Sequence, residues 1–249
     1  MRAPRSVLIT GASSGIGLAL AESYAAPGVA LWLGGRDAAR LDAVVSSCRA
    51  RGAAAEGRLV DVTDREAMAA WIVACDEAAP LDLVIANAGI SSGAAGEAAL
   101  RAVFACNVDG VVNTVLPALE RMRPRRAGQL ALMSSLAGFR GMPGAPAYAA
   151  SKAAVRSWGE GLRGALMGDG IAVSVICPGF VESRITAANR FPMPFLMDAP
   201  KAAALIRRGL ERDRGRIAFP FLPYAMAWLL GALPPGWTDR LLARMPRKG

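Results

Sequence analysis

Tyr148 and Lys152 stand four residues apart in the run Tyr148-Ala149-Ala150-Ser151-Lys152. On a helix this spacing puts both side chains on one face, about one turn apart. A phenol, with a pKa of about 10, is a poor proton donor or acceptor at neutral pH unless a neighbouring cation favours its phenolate. An ammonium one turn away is such a cation, so the pair suits proton transfer to or from an oxygen. The chain holds only three tyrosines and three lysines (Lys152, Lys201 and Lys248), which makes the pairing hard to dismiss.

A second cluster is the turn Thr10-Gly11-Ala12-Ser13-Ser14-Gly15-Ile16-Gly17. Gly11, Gly15 and Gly17 remove Cβ atoms where a pyrophosphate approaches backbone N–H groups and the positive end of a helix. Ser13 and Ser14 offer hydroxyls nearby, and no basic residue occupies the turn.

These residues need a frame. Ser6–Thr10 reads as a strand, followed by the glycine turn and a helix over Leu18–Ala26. Val29–Leu33, Ala54–Val60, Leu83–Ala86, Gln129–Met133 and Ile171–Ile176 read as further strands. Helices are expected over Asp37–Arg51 with Asp37 as N-cap, Asp64–Ala78, Leu100–Met122 and Ala147–Met167. The six strand runs are continuously apolar, as strands covered on both faces should be. The alternation predicts one α/β domain over 1–249: a doubly wound parallel sheet of Rossmann type, with right-handed crossovers and helices on both faces. Ile217–Phe221 is a candidate seventh strand. Asp198–Arg212 reads as a capped helix, Leu222–Leu233 as an apolar run interrupted by Pro223, and Thr238–Met245 as a final basic helix.

Composition narrows the chemistry. There is no histidine among the 249 residues, which excludes Ser-His-Asp and Cys-His hydrolases and any histidine-bound zinc or haem. No metal site is expected. Cys48, Cys75, Cys106 and Cys177 form no CxxC pair and lie in apolar runs, so buried free thiols in a reducing cytosol are expected. The N-terminus lacks the pattern of a signal peptide, and a cytoplasmic protein is expected. The net charge is +9, but only three of the 29 cationic residues are lysines and the arginines are scattered. That pattern does not point to nucleic acid.

Read together, the motifs resemble those of the short-chain dehydrogenase/reductase family over about residues 6–185. The Thr10 turn has that family's Gly-x-x-x-Gly-x-Gly spacing. Asn87-Ala88-Gly89 matches its NAG motif at the end of the fourth strand. Tyr148 to Lys152 matches YxxxK, Ser135 lies thirteen residues before Tyr148, and Pro178-Gly179-Phe180-Val181 matches PGxV. Asn107 sits where the family's fourth catalytic residue falls. The resemblance implies a nicotinamide-dependent oxidoreductase interconverting a ketone or aldehyde and an alcohol. It implies that Tyr148 exchanges the proton, that Lys152 lowers the phenol's pKa and holds the ribose, and that Ser135 binds the reacting oxygen. Asn107 would place a water in a proton relay; a purely structural asparagine is the alternative. Ser134 competes with Ser135, and the spacing favours Ser135. The four-residue Tyr–Lys interval differs from the six of the enoyl-reductase branch.

The implied dinucleotide contacts are Gly11, Ser13, Ser14, Gly15, Ile16, Gly17, Asn87, Ala88, Gly89, Tyr148, Lys152, Pro178, Gly179 and Val181, with Asp61 and Val62 at the adenine. Cofactor choice turns on Leu33-Gly34-Gly35-Arg36. Where an NAD enzyme generally carries a carboxylate for the ribose hydroxyl, this chain has Gly35 followed by Arg36, which suits a 2′-phosphate. NADP(H) is therefore expected, assisted by Arg40. NAD(H) remains the alternative if Asp37 faces the ribose, giving an NAD-linked alcohol or hydroxysteroid-type dehydrogenase. A catalytically silent dinucleotide-binding sensor or assembly subunit is a third reading, against which the intact Asn107, Ser135, Tyr148 and Lys152 set speaks.

The segment 183–197, with Phe191, Met193, Phe195, Leu196 and Met197, reads as an apolar lid. Phe139 and Met142 add to it, so an apolar carbonyl or alcohol substrate is expected. Arg140, Arg184 and Arg190 are candidate carboxylate clamps. Residues 217–236 carry no charge and are flanked by Arg212, Arg214 and Arg216 on one side and Arg240, Arg244, Arg247 and Lys248 on the other. Within this apolar C-terminal extension, 217–249, packing in a subunit or an oligomer, docking on a membrane surface, and spanning a bilayer all stay open. A homodimer or homotetramer is expected from the resemblance.

Overall fold

The computed structural model describes residues 3–91, 96–189 and 191–243. The expectations resting on Arg190, Arg244, Met245, Arg247 and Lys248 lie outside the described residues. Seven strands form one sheet: β1 (Ser6–Thr10), β2 (Ala30–Gly35), β3 (Ala54–Leu59), β4 (Leu83–Ala86), β5 (Gly128–Met133), β6 (Ile171–Pro178) and β7 (Arg216–Phe219). Every neighbouring pair is parallel, in the order β3-β2-β1-β4-β5-β6-β7. The chain is thus a doubly wound sheet of Rossmann type, with helices on both faces.

Strand alternation divides the core into two layers. Val7 and Ile9 of β1 point into one, with Leu20 of α1 (Gly15–Tyr24), Val44 of α2 (Ala38–Ala50) and Ile206 of α8 (Ala199–Glu211). Leu8 points into the other, with Ile72 of α3 (Arg65–Ala78), Val115 of α5 (Gly110–Arg125) and Val155 of α6 (Pro146–Ala165). Burying each such aliphatic side chain is worth about 1.5–3 kcal/mol. Three helices start on aspartate caps: Asp37 accepts from Arg40 N at 3.0 Å, Asp64 from Ala67 N at 3.0 Å and Asp198 from Lys201 N at 2.7 Å.

Several expected boundaries shift. The first helix begins at Gly15, inside the glycine turn. The run expected from Leu100 to Met122 begins at Glu97: α4 (Glu97–Phe104) and α5 are joined by a π-bulge, Ala105–Asp109. Strand β3 departs from the continuously apolar pattern. It is an edge strand with exposed Glu56 and Arg58, and only Ala55 is buried; charge on an edge discourages pairing with another chain.

The tail departs further. Strand β7 ends at Phe219, and Phe221 opens α9 (Phe221–Ala232). Pro223 interrupts nothing, because in the first turn its missing N–H is not needed. The last helix is α10 (Pro235–Leu242). A bilayer-spanning segment over 217–236 is excluded, since these residues are divided among a strand and two helices. Among the described residues, Glu97–Arg125 alone is long and apolar enough to cross a membrane, and half of its apolar stretch is buried inside the fold. The four cysteines are free and buried.

Asp76, at the end of α3, ties α5 to the approach to β4. Its carboxylate accepts from Leu81 N at 2.9 Å and from Arg121 and Arg125 at 3.2 and 3.0 Å, with the residue 5% exposed. Burial pushes the carboxyl pKa up, but the hydrogen bonds from Arg125 and Leu81, with Arg121, hold it below the usual carboxylate range. A depressed carboxyl stabilises the fold above its unfolded pKa and loses that contribution as pH falls. Asp76→Ala is expected to lower stability by about 3 kcal/mol in urea unfolding at neutral pH, a difference that shrinks as pH falls through and below the carboxylate range.

Candidate active site

Strands β1 and β4 are neighbours in the sheet, and the chain leaves their carboxyl ends toward opposite faces, which opens a crevice there. A reciprocal clasp holds its floor. Thr10 Oγ1 accepts from Asn87 N and Ala88 N, both at 3.1 Å, while Asn87 Nδ2 donates to Thr10 O at 2.9 Å and Gly11 O at 3.2 Å. The glycines are needed for this closure as well as for any ligand. Gly11 has φ +65°, and a Cβ there would lie 2.8 Å from Ala88 Cα; a Cβ on Gly17 would strike the Gly11 carbonyl. Ser14 is the N-cap of α1, yet its side chain makes no capping bond. Among the described residues, no capping side chain therefore takes up the first N–H groups of α1, and Gly15, Ile16 and Gly17 line the cleft. A pyrophosphate fits this donor set.

The cleft encloses about 530 Å³. It brings together every site residue expected from sequence except two: Asn107, which is buried behind its wall, and Asp61, whose neighbour Val62 lines it. Residues that sequence reasoning did not select also line it, among them Ile90, Ser91, Cys106 and Met133, and the expected lid contributes Ser183, Arg184, Ile185, Thr186 and Ala188. Ile90 and Ser91 directly follow Asn87-Ala88-Gly89, and Cys106 adjoins Asn107, so extending those motifs by a residue or two would have found them.

At the centre, one turn of α6 presents Tyr148 and Lys152. Burial pushes the phenol's pKa up, and the Ser135 hydroxyl opposes that push; Ser135 Oγ also donates to Pro178 O at 3.4 Å and accepts from Ala137 N at 3.2 Å. Ser134 is occupied elsewhere, its Oγ donating to Lys152 O at 2.7 Å. Lys152 is 3% exposed, and its Nζ donates to Met133 O at 2.8 Å, 5.8 Å from the Tyr148 ring centroid. Burial pushes the ammonium pKa down to about 8. From its spacing, Lys152 is expected to acidify Tyr148. In the structure the contact that lowers the phenol's pKa is Ser135, and burial raises it overall.

Asn107 sits inside the π-bulge. Its Oδ1 accepts from Ile90 N at 2.8 Å, and its Nδ2 donates to Ile90 O at 2.9 Å and Ser151 Oγ at 3.0 Å. The extra residue of the bulge turns this amide toward the loop after β4, a common use of π-bulges at functional sites. A Cβ on Gly89 would lie 3.1 Å from Asn107 Oδ1 and 3.3 Å from Lys152 Nζ. The bare Gly89 backbone thus leaves room for both groups.

At the end of β2, Asp37 is held as the α2 cap and pairs with Arg40 at 2.8 Å. Arg40 Nε is buried with no hydrogen-bond partner among the described residues. Arg36 lines the cleft and lies 3.5 Å from Asp61, whose carboxyl is kept below its usual range against the upward push of burial by Thr63 and Arg36. Gly35 leaves the strand end without a side chain; a Cβ there would lie 3.3 Å from Ser13.

The expected apolar lid is built differently. Ser183 caps the short helix α7 (Arg184–Ala187) in a reciprocal capping box with Thr186, and this stretch lines the cleft. Phe191 packs edge-on against Phe180 with centroids 6.1 Å apart, while Phe195 and Leu196 are exposed. Met197 bridges to Val181 and packs on the core. Neither Phe139 nor Met142 reaches the cleft; both line a separate depression of about 610 Å³ beside α10. Phe139 is held by Tyr224, at 5.6 Å between centroids, and by the guanidinium groups of Arg156 and Arg216. Of the candidate clamps, Arg184 lines the cleft, whereas Arg140 pairs with Asp239 at 2.9 Å.

Comparison with known proteins agrees with this geometry. The sequence pattern of the family described as short chain dehydrogenase matches residues 5–192. An uncharacterized oxidoreductase of Myxococcus xanthus is 41% identical over 91% of this chain and 92% of its own. Ketoacyl reductase HetN of Nostoc is 30% identical over 80% of this chain and 72% of its own. Among solved structures, a short-chain dehydrogenase from Sphingobium yanoikuyae in complex with NADPH superposes with a TM-score of 0.82 at 26% identity, covering 98% of this chain and 97% of that one. One from Burkholderia phymatum in complex with NAD gives 0.84 at 27% identity, with the same coverage. The chain belongs to the short-chain dehydrogenase family and is an oxidoreductase whose cleft is that of a nicotinamide dinucleotide enzyme.

Proposed function

We propose that this enzyme interconverts a ketone or aldehyde and an alcohol, uses NADP(H), and takes an apolar substrate. One observation carries the reading: Tyr148 and Ser135 line one cleft with an uncapped glycine turn and a buried ammonium one helical turn from the phenol. When bound, the reduced dinucleotide supplies the hydride. The chain's own groups do the rest. Ser135 and Tyr148 together hold the carbonyl oxygen, and Tyr148 Oη passes its proton to that oxygen as the alcohol forms. Lys152 binds the ribose from its place on Met133 O and supplies positive charge beside the phenol. Asn107 acts as a positioning residue for the loop carrying Ile90 and for α6.

Preference for the 2′-phosphate rests on the end of β2. Arg36 and Arg40 flank Gly35, Arg40 Nε lacks a partner among the described residues, and the nearby carboxylate of Asp37 is engaged as a cap. An apolar substrate is supported by Ile90, Ile185 and Ala188 along the cleft, and the ketoacyl-reductase name of one relative favours an acyl chain.

Tyr148→Phe should lower turnover at least about a thousandfold while leaving NADPH fluorescence titrations nearly unchanged; full activity would overturn the assigned role. The Kd of NADPH should lie at least about tenfold below that of NADH, a gap of about 1.4 kcal/mol that Arg36→Ala and Arg40→Ala should narrow. In pH profiles, kcat/KM reports the free enzyme. The Lys152 ammonium is present below about 8 and lost above it, while the phenol stays protonated throughout that window. Reduction should therefore be flat below about pH 8 and fall above it, and Lys152→Met should abolish the break along with most activity.

A further inference from the structure

Helix α9 is apolar all round and no residue in it is buried. Tyr224 and Ala227 turn inward, packing with Leu136, Val175 and Cys177. The outer face carries Phe221, Leu222, Met226, Trp228 and Leu229, each more than half exposed, and Trp237 of α10 is 76% exposed beside them in sequence. An outward helix face in water is normally polar, and a contiguous apolar patch of this kind marks a surface that something covers.

Charge identifies the occupant. From Arg212 to Ala243 the chain has four arginines and two acids. Both acids are already paired, Asp213 with Arg163 at 2.6 Å and Asp239 with Arg140 at 2.9 Å, and Arg216 is held by Glu160, so the basic flank is carried by Arg212, Arg214 and Arg240. The sequence beyond Ala243 adds Arg244, Arg247 and Lys248 and no acid. A second copy meeting this face about a two-fold axis would bring the same basic flank against itself. An anionic headgroup layer complements it. Two exposed tryptophans suit the boundary between headgroups and acyl chains. Twelve residues of helix give about 18 Å, too short to cross a hydrocarbon core of about 30 Å.

We propose that the outer face of α9, with Trp237, docks this enzyme on the surface of an anionic bilayer, lying in the interface rather than spanning it. The inference is independent of the catalytic reading. Full-length protein should pellet at low salt with vesicles of phosphatidylcholine containing about one third phosphatidylglycerol, with a blue shift of tryptophan emission. Binding to pure phosphatidylcholine, or in about 1 M salt where the Debye length is about 3 Å, should be at least tenfold weaker. Met226→Glu/Leu229→Glu should lower vesicle binding at least tenfold, with NADPH binding unchanged as the check on folding. Should that variant not fold, Arg212→Gln/Arg214→Gln/Arg240→Gln supplies the test through weakened binding to the anionic vesicles. Wild-type protein left in the supernatant overturns the proposal. So does binding indifferent to lipid charge and salt, or an oligomer in sedimentation velocity that Met226→Glu/Leu229→Glu converts to monomer without any vesicle binding.

Discussion

A single buried ammonium organises the centre of this enzyme. Among the described residues, Lys152 Nζ has one hydrogen-bond acceptor, the Met133 carbonyl at the end of β5. Removing a cation from water with so little compensation is unfavourable, which is why its proton is held more weakly than that of an exposed lysine. The surroundings make the position tenable. Gly89 carries no side chain that would displace the ammonium, Ser134 fixes the Lys152 carbonyl, and Asn107 spans from the β4 loop to Ser151 one residue before the lysine. A dinucleotide ribose placed here would supply the oxygen acceptors that the protein withholds.

Much of this was legible from residue type and spacing. The interval between Tyr148 and Lys152 is a helical repeat, so their common face follows from geometry alone. The strands were recognisable because a sheet covered on both faces demands unbroken apolar runs, and β3 departed from the pattern because an edge strand is relieved of that demand. Asp37 announced itself as a cap, and its engagement there is what a reading of the ribose site needed. Asn107 was a position without a mechanism: its partners are backbone atoms of Ile90, and its direction depends on a π-bulge that no local pattern in Phe104–Val108 encodes. The glycines carried a half-told reason, since their closest neighbours are Ala88, Ser183 and the turn itself.

The substrate side was the least legible, for a physical reason. Phe139 and Met142 are apolar and close in sequence to Ser135, yet Phe139 is captured by Tyr224, Arg156 and Arg216, partners far apart along the chain. Hydrophobicity says that such a ring will be covered and is silent on what covers it. In the same way Pro223 reads as a breaker until the helix start is known, at which point it becomes compatible with the first turn.

The clasp between Thr10 and Asn87 joins residues 77 positions apart, and an all-parallel ladder offers no hairpin to shorten that distance. The dinucleotide floor is therefore assembled from opposite ends of the first third of the chain. During synthesis the glycine loop has nothing to close upon until the fourth strand has emerged, so nascent fragments ending before it lack the nucleotide site altogether. Such long-range closure makes for slow folding. Because the site exists only in the completed fold, a cell rich in the nicotinamide dinucleotide stabilises this protein by mass action as soon as it is whole.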